Sequence, residues 1–178
     1  MEIYLIRHTE TICEKGICYG QSDVALAEPF DSVFENIISQ LPQEALIFSS
    51  PLQRCVILAK HIQSKIKTVS YQEDSRLMEM NFGDWEMKNW NDIPPGQLNP
   101  WMEDFVNIQV SNGESFVELH KRTEAFLSEL ISKKVDKPVI VVAHAGILRS
   151  LLCHQSSLPL KDAFQNKIDF GQVIKILL

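Results

Sequence analysis

The chain reads as an α/β sandwich of three layers, a mostly parallel central sheet with helices on both faces. Three observations predict this. Short apolar runs recur along the chain; the clearest, Val139-Ile140-Val141-Val142, shows no polar alternation; and amphipathic helical stripes lie between the runs. Strands covered on both faces lose the in–out alternation of half-exposed ones. Strands that alternate with helices bury their faces as stacked layers.

Taken in order, Ile3–Ile6, Ala45–Phe48, Val139–Ala143 and Val173–Leu178 read as strands, with a weaker fifth at Thr68–Tyr71. Ser50 before Pro51 predicts a helix N-cap with proline at the first helical position. Leu52, Val56, Ala59, Ile62 and Ile66 continue that helix as one stripe. Phe116, Leu119, Thr123, Phe126, Leu127, Leu130 and Ile131 form a longer stripe, suited to a helix lying on a core. Residues 88–113 break the rhythm with Pro94, Pro95 and Pro100 and with Trp90 and Trp101. That composition predicts a partly irregular, cap-like insertion in a single domain spanning residues 1–178. No repeat or low-complexity tract is present.

Composition bounds the function. A chain of 178 residues fits one domain, and 45% hydrophobic residues suffice for a core without metal or disulfide staples. Seventeen basic against 23 acidic residues give a net charge of -6. That balance argues against nucleic acid or an anionic membrane as partner, but it leaves room for a small anion in a local basic pocket. No run approaches the roughly 18 apolar residues of a membrane span. Cys13, Cys18, Cys55 and Cys153 form no C-x-x-C pair, so reduced thiols in a cytoplasmic protein are expected, with no zinc site. His61 and His120 stand among polar neighbours and read as solvated, and His154, after Cys153 near a helix end, reads as complementing that C-terminal dipole.

The chemistry gathers at strand ends, where open α/β sheets bind ligands. Arg7 and His8 follow the first strand; Ser49, Ser50 and, in the next helix, Arg54 follow the second; His144, Ala145 and Gly146 follow Val139–Ala143. If these strands are parallel, two imidazoles and two guanidiniums share one rim, an arrangement that needs an anion to receive it. Arginine's planar fork suits phosphate oxygens, and helix starts after Ser50 and His144 would add N–H groups and dipole ends. A histidine beside two cations stays neutral, as a nucleophilic imidazole must. No Walker-type glycine loop is present.

Four blocks then carry a resemblance: Arg7-His8-Thr9-Glu10-Thr11, Ser49-Ser50-Pro51-Leu52-Gln53-Arg54-Cys55, Leu77 through Glu86 around Glu79, and His144-Ala145-Gly146. In this order and spacing the chain resembles the histidine phosphatase (phosphoglycerate mutase-like) superfamily, end to end. The resemblance implies that His8 becomes phosphohistidine and that Arg7, Arg54 and His144 bind the phosphoryl oxygens. It also implies that Glu79 protonates the leaving group, and that no cofactor or metal is needed. Nothing else separates Glu79 from its acidic neighbours Glu73, Asp74, Asp84 and Glu86. Two departures stand out: Thr9 replaces the usual glycine, and Glu14 takes the place of a phosphate-contacting asparagine.

Within the superfamily, Cys18-Tyr19-Gly20-Gln21-Ser22-Asp23-Val24, Phe82 through Met87 and Asn112-Gly113-Glu114 are similar to the alpha-ribazole phosphatases. This implies a small phosphorylated metabolite as partner, alpha-ribazole 5′-phosphate, with Tyr19, Gly20 and Gln21 on the substrate side. The short chain favours a phosphatase over the larger mutases. Alternatives on the same scaffold are a phosphoglycerate mutase, a broad sugar-phosphate phosphatase, or a catalytically silent phosphate binder.

Overall fold

The computed structural model describes residues 1–178. In chain order the elements are β1 (Glu2–Arg7), β2 (Ile17–Cys18), α1 (Asp31–Ile38), β3 (Glu44–Ser49), α2 (Gln53–Lys65) and β4 (Lys67–Glu73). They continue with β5 (Lys88–Asn89), α3 (Pro95–Glu103), α4 (Phe116–Ser132), β6 (Val139–Ala143), α5 (Ala145–Ser156) and β7 (Val173–Leu177). The main sheet has the order β4-β3-β6-β1-β7. Its first four strands are parallel, and β7 closes the edge antiparallel to β1.

Side-chain alternation on the central strands explains the three layers. Ile3, Leu5, Val139 and Val141 face a core shared with α4 and α5. Tyr4, Ile6, Ile140 and Val142 face the opposite core, built with α1 and α2. Both faces of each strand are therefore buried, which is why Val139–Ala143 is apolar throughout. β4 is longer than the Thr68–Tyr71 expected. As an edge strand paired only with β3, it leaves most of its residues in solvent and carries little apolar signal.

Register sets up the site. Arg7 stands opposite Ala143, and Ser49 opposite Val142. The next residues, His8, Ser50 and His144, therefore leave three adjacent strands at one level. His8 N–H still donates to Ala143 carbonyl at 3.1 Å, and Ser50 N–H to Val142 carbonyl at 2.9 Å.

Two expectations are corrected. α2 begins at Gln53, so Pro51 is not its first residue and Ser50 is not its cap. The Ser50 hydroxyl is drawn to His144 instead, and Gln53 N–H is met by Asp23 Oδ1 at 3.0 Å. His120 is half-buried between α4 and α5, with Nδ1 2.8 Å from Ser150 Oγ and Nε2 3.3 Å from Glu124. Burial lowers its pKa. His61 and His154 each reach one glutamate, Glu35 and Glu124, near the surface.

Residues 88–113 hold β5, a short turn at Trp90–Asp92 and α3. Trp90 and Trp101 stack with centroids 5.7 Å apart, and Trp85 meets Trp101 edge-on at 5.6 Å. Phe105 carries the cluster onto Phe116 of α4 at 5.5 Å. All four cysteines are free thiols. No helix is long and apolar enough to cross a membrane.

Candidate active site

Arg7, His8, Arg54 and His144 converge at the carboxyl ends of β1, β3 and β6, as their strand positions predict. His8, Arg54 and His144 are each no more than 1% exposed. His8 Nδ1 lies 2.7 Å from the Thr9 carbonyl. A carbonyl only accepts, so Nδ1 carries the proton and Nε2 keeps its lone pair. His144 stands edge-on to His8, centroids 5.2 Å apart, and its Nε2 shares a hydrogen bond with Ser50 Oγ at 2.8 Å.

The two arginines are fixed by backbone carbonyls. Arg54 donates from Nη1 to Ser22 at 2.8 Å and from Nη2 to Gly20 at 2.6 Å. Gly20 takes φ +43°, where a side chain would strike Glu86 and the Met80 carbonyl, and this turn aims its carbonyl at Arg54. Arg7 donates from Nη1 to Ile168 at 2.8 Å and lies 3.6 Å over the Phe170 ring. Arg7 Nε and Arg54 Nε are buried N–H donors with no protein partner. A buried unpaired donor costs about 1–3 kcal/mol, a cost that an anion accepting from these groups would remove.

Burial, reinforced by these cations, keeps the imidazoles neutral. The His8 pKa is pushed down to about 3, first by burial, then by Arg54 and, more weakly, Arg7, against the raising effect of the Thr9 carbonyl. His144 is held well below its ordinary value by burial, then by His8 and Arg54. Both groups bind protons better in the unfolded chain. Their contribution to stability is complete above the unfolded pKa of 6.5 and is lost as pH falls toward the folded values. Between about pH 6 and pH 3, His8 alone contributes a slope of roughly 1.4 kcal/mol per pH unit. We expect His8→Asn, whose amide can still donate to Thr9, to show a visibly flatter fall of melting temperature with acid. Equal slopes for variant and wild type would contradict the buried neutral ring.

Glu79 sits beside this cluster. Its Oε1 accepts from Met80 N–H at 2.9 Å, and its Oε2 from Gly146 N–H, in the first turn of α5, at 3.2 Å. Next to Glu79 and Gly146 opens a cavity of about 500 Å³ walled by Trp90, Trp101, Phe105, Phe116 and Phe164, with Arg149 at its side. Of the three residues expected on the substrate side, Tyr19 lines a cleft with Arg7 and lies 5.1 Å from the Arg54 guanidinium. Gln21 is otherwise engaged: its side-chain amide donates to the Glu79 carbonyl at 2.8 Å and its N–H to Glu86 at 2.9 Å. Glu14 is exposed on the cleft that Arg7 and Tyr19 line.

Residues 3–178 match the model of the histidine phosphatase superfamily (branch 1). The chain belongs to that superfamily. Among relatives of this histidine phosphatase, adenosylcobalamin/alpha-ribazole phosphatase of Escherichia coli K12 is 27% identical over 96% of the chain and 87% of the relative. Phosphoserine phosphatase 1 of Hydrogenobacter thermophilus is 26% identical over 86% and 75%. A mycobacterial glucosyl-3-phosphoglycerate phosphatase solved with inorganic phosphate superposes with a TM-score of 0.84 at 26% identity, covering 98% and 88%. The phosphoglycerate mutase-like sandwich and the phosphatase class are thus those the sequence resembles.

Sequence reading missed several groups around the phosphatase site. Arg149, half-buried, donates to the Asn166 carbonyl at 3.2 Å and lies 4.7 Å from the Phe164 ring. Phe170 packs 5.5 Å from His8. Both come from the stretch between α5 and β7 or face it, where no motif marks them. Arg122, on α4, reaches the segment that carries Glu79; its place in the α4 sequence offered only a polar position on an amphipathic stripe.

Proposed function

We propose that this histidine phosphatase hydrolyses alpha-ribazole 5′-phosphate through a phosphohistidine on His8, without a metal ion. The aromatic-walled cavity beside Glu79 is the observation that carries the substrate. A benzimidazole-like base gains from burial and stacking there, whereas phosphoserine or a phosphoglycerate would use Arg149 alone and leave the tryptophan and phenylalanine walls without an apolar partner. The resemblance to adenosylcobalamin/alpha-ribazole phosphatases of Escherichia coli and Salmonella supports the same reading.

In this reading the phosphoryl group lies between Arg7 and Arg54, whose free Nε–H donors and charges stabilise its developing negative charge. His8 Nε2 attacks phosphorus, the bond to the ester oxygen breaks, and Glu79 in its acid form gives that oxygen its proton. Water then attacks phosphorus, Glu79 takes the proton back, and the P–N bond breaks to release inorganic phosphate. Throughout, Nδ1–H stays on the Thr9 carbonyl and supports the ring while it carries positive charge.

A substrate panel in EDTA tests the proposal. Burial of about 150 Å² of a bicyclic base is worth about 4 kcal/mol, so even with half of that lost to ordering, kcat/KM for alpha-ribazole 5′-phosphate should exceed that for phosphoserine and 3-phosphoglycerate by roughly 30-fold. Preference for either small acid, or an isomerised phosphoglycerate as product, would overturn it.

A further inference from the structure

Residues 76–81 carry Glu79, yet only the first two lie in a turn; the rest are irregular backbone with no strand beside them. Buried backbone carbonyls and N–H groups without a ladder need partners from elsewhere. Arg122 supplies them. Its Nη1 donates to the carbonyls of Arg76 at 2.6 Å and Met78 at 2.7 Å, and its Nη2 to that of Glu79 at 3.0 Å. The other Nη2 proton and Nε–H go to Glu114, Oε1 at 2.6 Å and Oε2 at 3.1 Å. All five donors of the guanidinium are thereby used.

Glu114 completes the frame. Its Oε1 also accepts from Asn81 N–H at 2.9 Å, and its own N–H donates to the Asn81 carbonyl at 2.9 Å. The ion pair is mostly shielded, with 20% and 15% of the two side chains exposed. One end of the segment therefore hangs on a guanidinium and the other on a carboxylate, with Glu79 between them. Such a bidentate, rigid fork fixes position in a way a lysine's single ammonium does not.

We propose that Arg122 and Glu114 are positioning residues that hold the Glu79 carboxyl where it can protonate the leaving oxygen. This rests on Glu79 being the general acid. Neither residue touches the phosphate; they act through the backbone of 76–81. A shift of the segment by about 1 Å takes the carboxyl out of hydrogen-bond reach of the leaving oxygen, while His8, Arg7 and Arg54 stay in place on other elements.

The test measures kcat/KM on p-nitrophenyl phosphate, whose leaving group needs little protonation, and on an alkyl phosphate, whose leaving group needs it fully. Glu79→Gln should lose about 10²- to 10⁴-fold on the alkyl ester, the usual worth of a positioned acid, and far less on the aryl ester. Arg122→Met should show the same split, about 10²-fold on the alkyl ester with a loss at least tenfold smaller on the aryl one. Arg122→Lys should recover part of it. Arg122→Met combined with Glu79→Gln should lose no more than Glu79→Gln alone. Should Arg122→Met fail to fold, Glu114→Gln, which keeps the shape of the side chain, carries the same expectation. Equal losses on both esters for the Arg122 and Glu114 variants, with the split intact for Glu79→Gln, would overturn the positioning role alone. Equal losses for Glu79→Gln itself would overturn the acid, and the positioning role with it.

Discussion

Replacing His8 with alanine should abolish turnover, a loss on the order of 10⁶-fold in kcat, as when a covalent nucleophile is removed elsewhere. The expectation follows from how the ring is held. Thr9 fixes the Nδ1 proton and burial with two guanidiniums keeps Nε2 unprotonated, and no other side chain offers a lone pair in that position. His144, the nearest imidazole, shares its Nε2 with Ser50. Rapid quench of the wild type with labelled substrate should trap an adduct that survives base and is lost in acid, as a P–N bond requires, and the variant should give none. An acid-stable adduct, or residual turnover within a hundredfold of wild type, would count against His8.

Arg54→Met should lower kcat/KM by about 10³- to 10⁵-fold, the range for removing an arginine that meets transition-state charge on phosphorus. Methionine fills much of the volume but donates nothing. The Gly20 and Ser22 carbonyls then lose their partners, at about 1–3 kcal/mol each, so the melting temperature should drop by several degrees as well. Arg54→Lys should recover little, because one ammonium cannot reach both carbonyls and still present a donor to phosphate. Circular dichroism separates the two effects, since a folded variant with near-normal kcat/KM would refute the assignment of Arg54 to the phosphate.

Both of these residues were legible in the sequence for a physical reason. A strand end places the next residue on the rim whatever the rest of the chain does, so the pairs Arg7-His8 and His144-Ala145 announce their location as soon as the apolar runs before them are read as strands. Arg54 was legible for a related reason, being one turn inside a helix that follows such a run. Glu79 lies in irregular backbone, where no period exists to read, and only the resemblance singled it out. Arg122 was invisible because its function depends on carbonyls more than 40 residues away, at Arg76, Met78 and Glu79. The Ser50-Pro51 pair misled because a serine next to proline signals a helix cap only when its hydroxyl has no stronger partner, and here His144 is that partner. β4 was understated because an edge strand needs few apolar residues.

Gly146 links the two halves of the site in a way that bears on mechanical tolerance. Its N–H holds Glu79, while His144, two residues earlier, faces His8 from the same helix end. A side chain at 146 would collide with Glu79 Oε1. In the proposed mechanism the proton donor and one wall of the phosphate site are thus gauged from a single short length of backbone. A methyl group at that position would push the Glu79 carboxylate off the Gly146 N–H while leaving the strands that carry His8 and His144 untouched, so residue 146 is where the acid can be perturbed apart from the rest of the site.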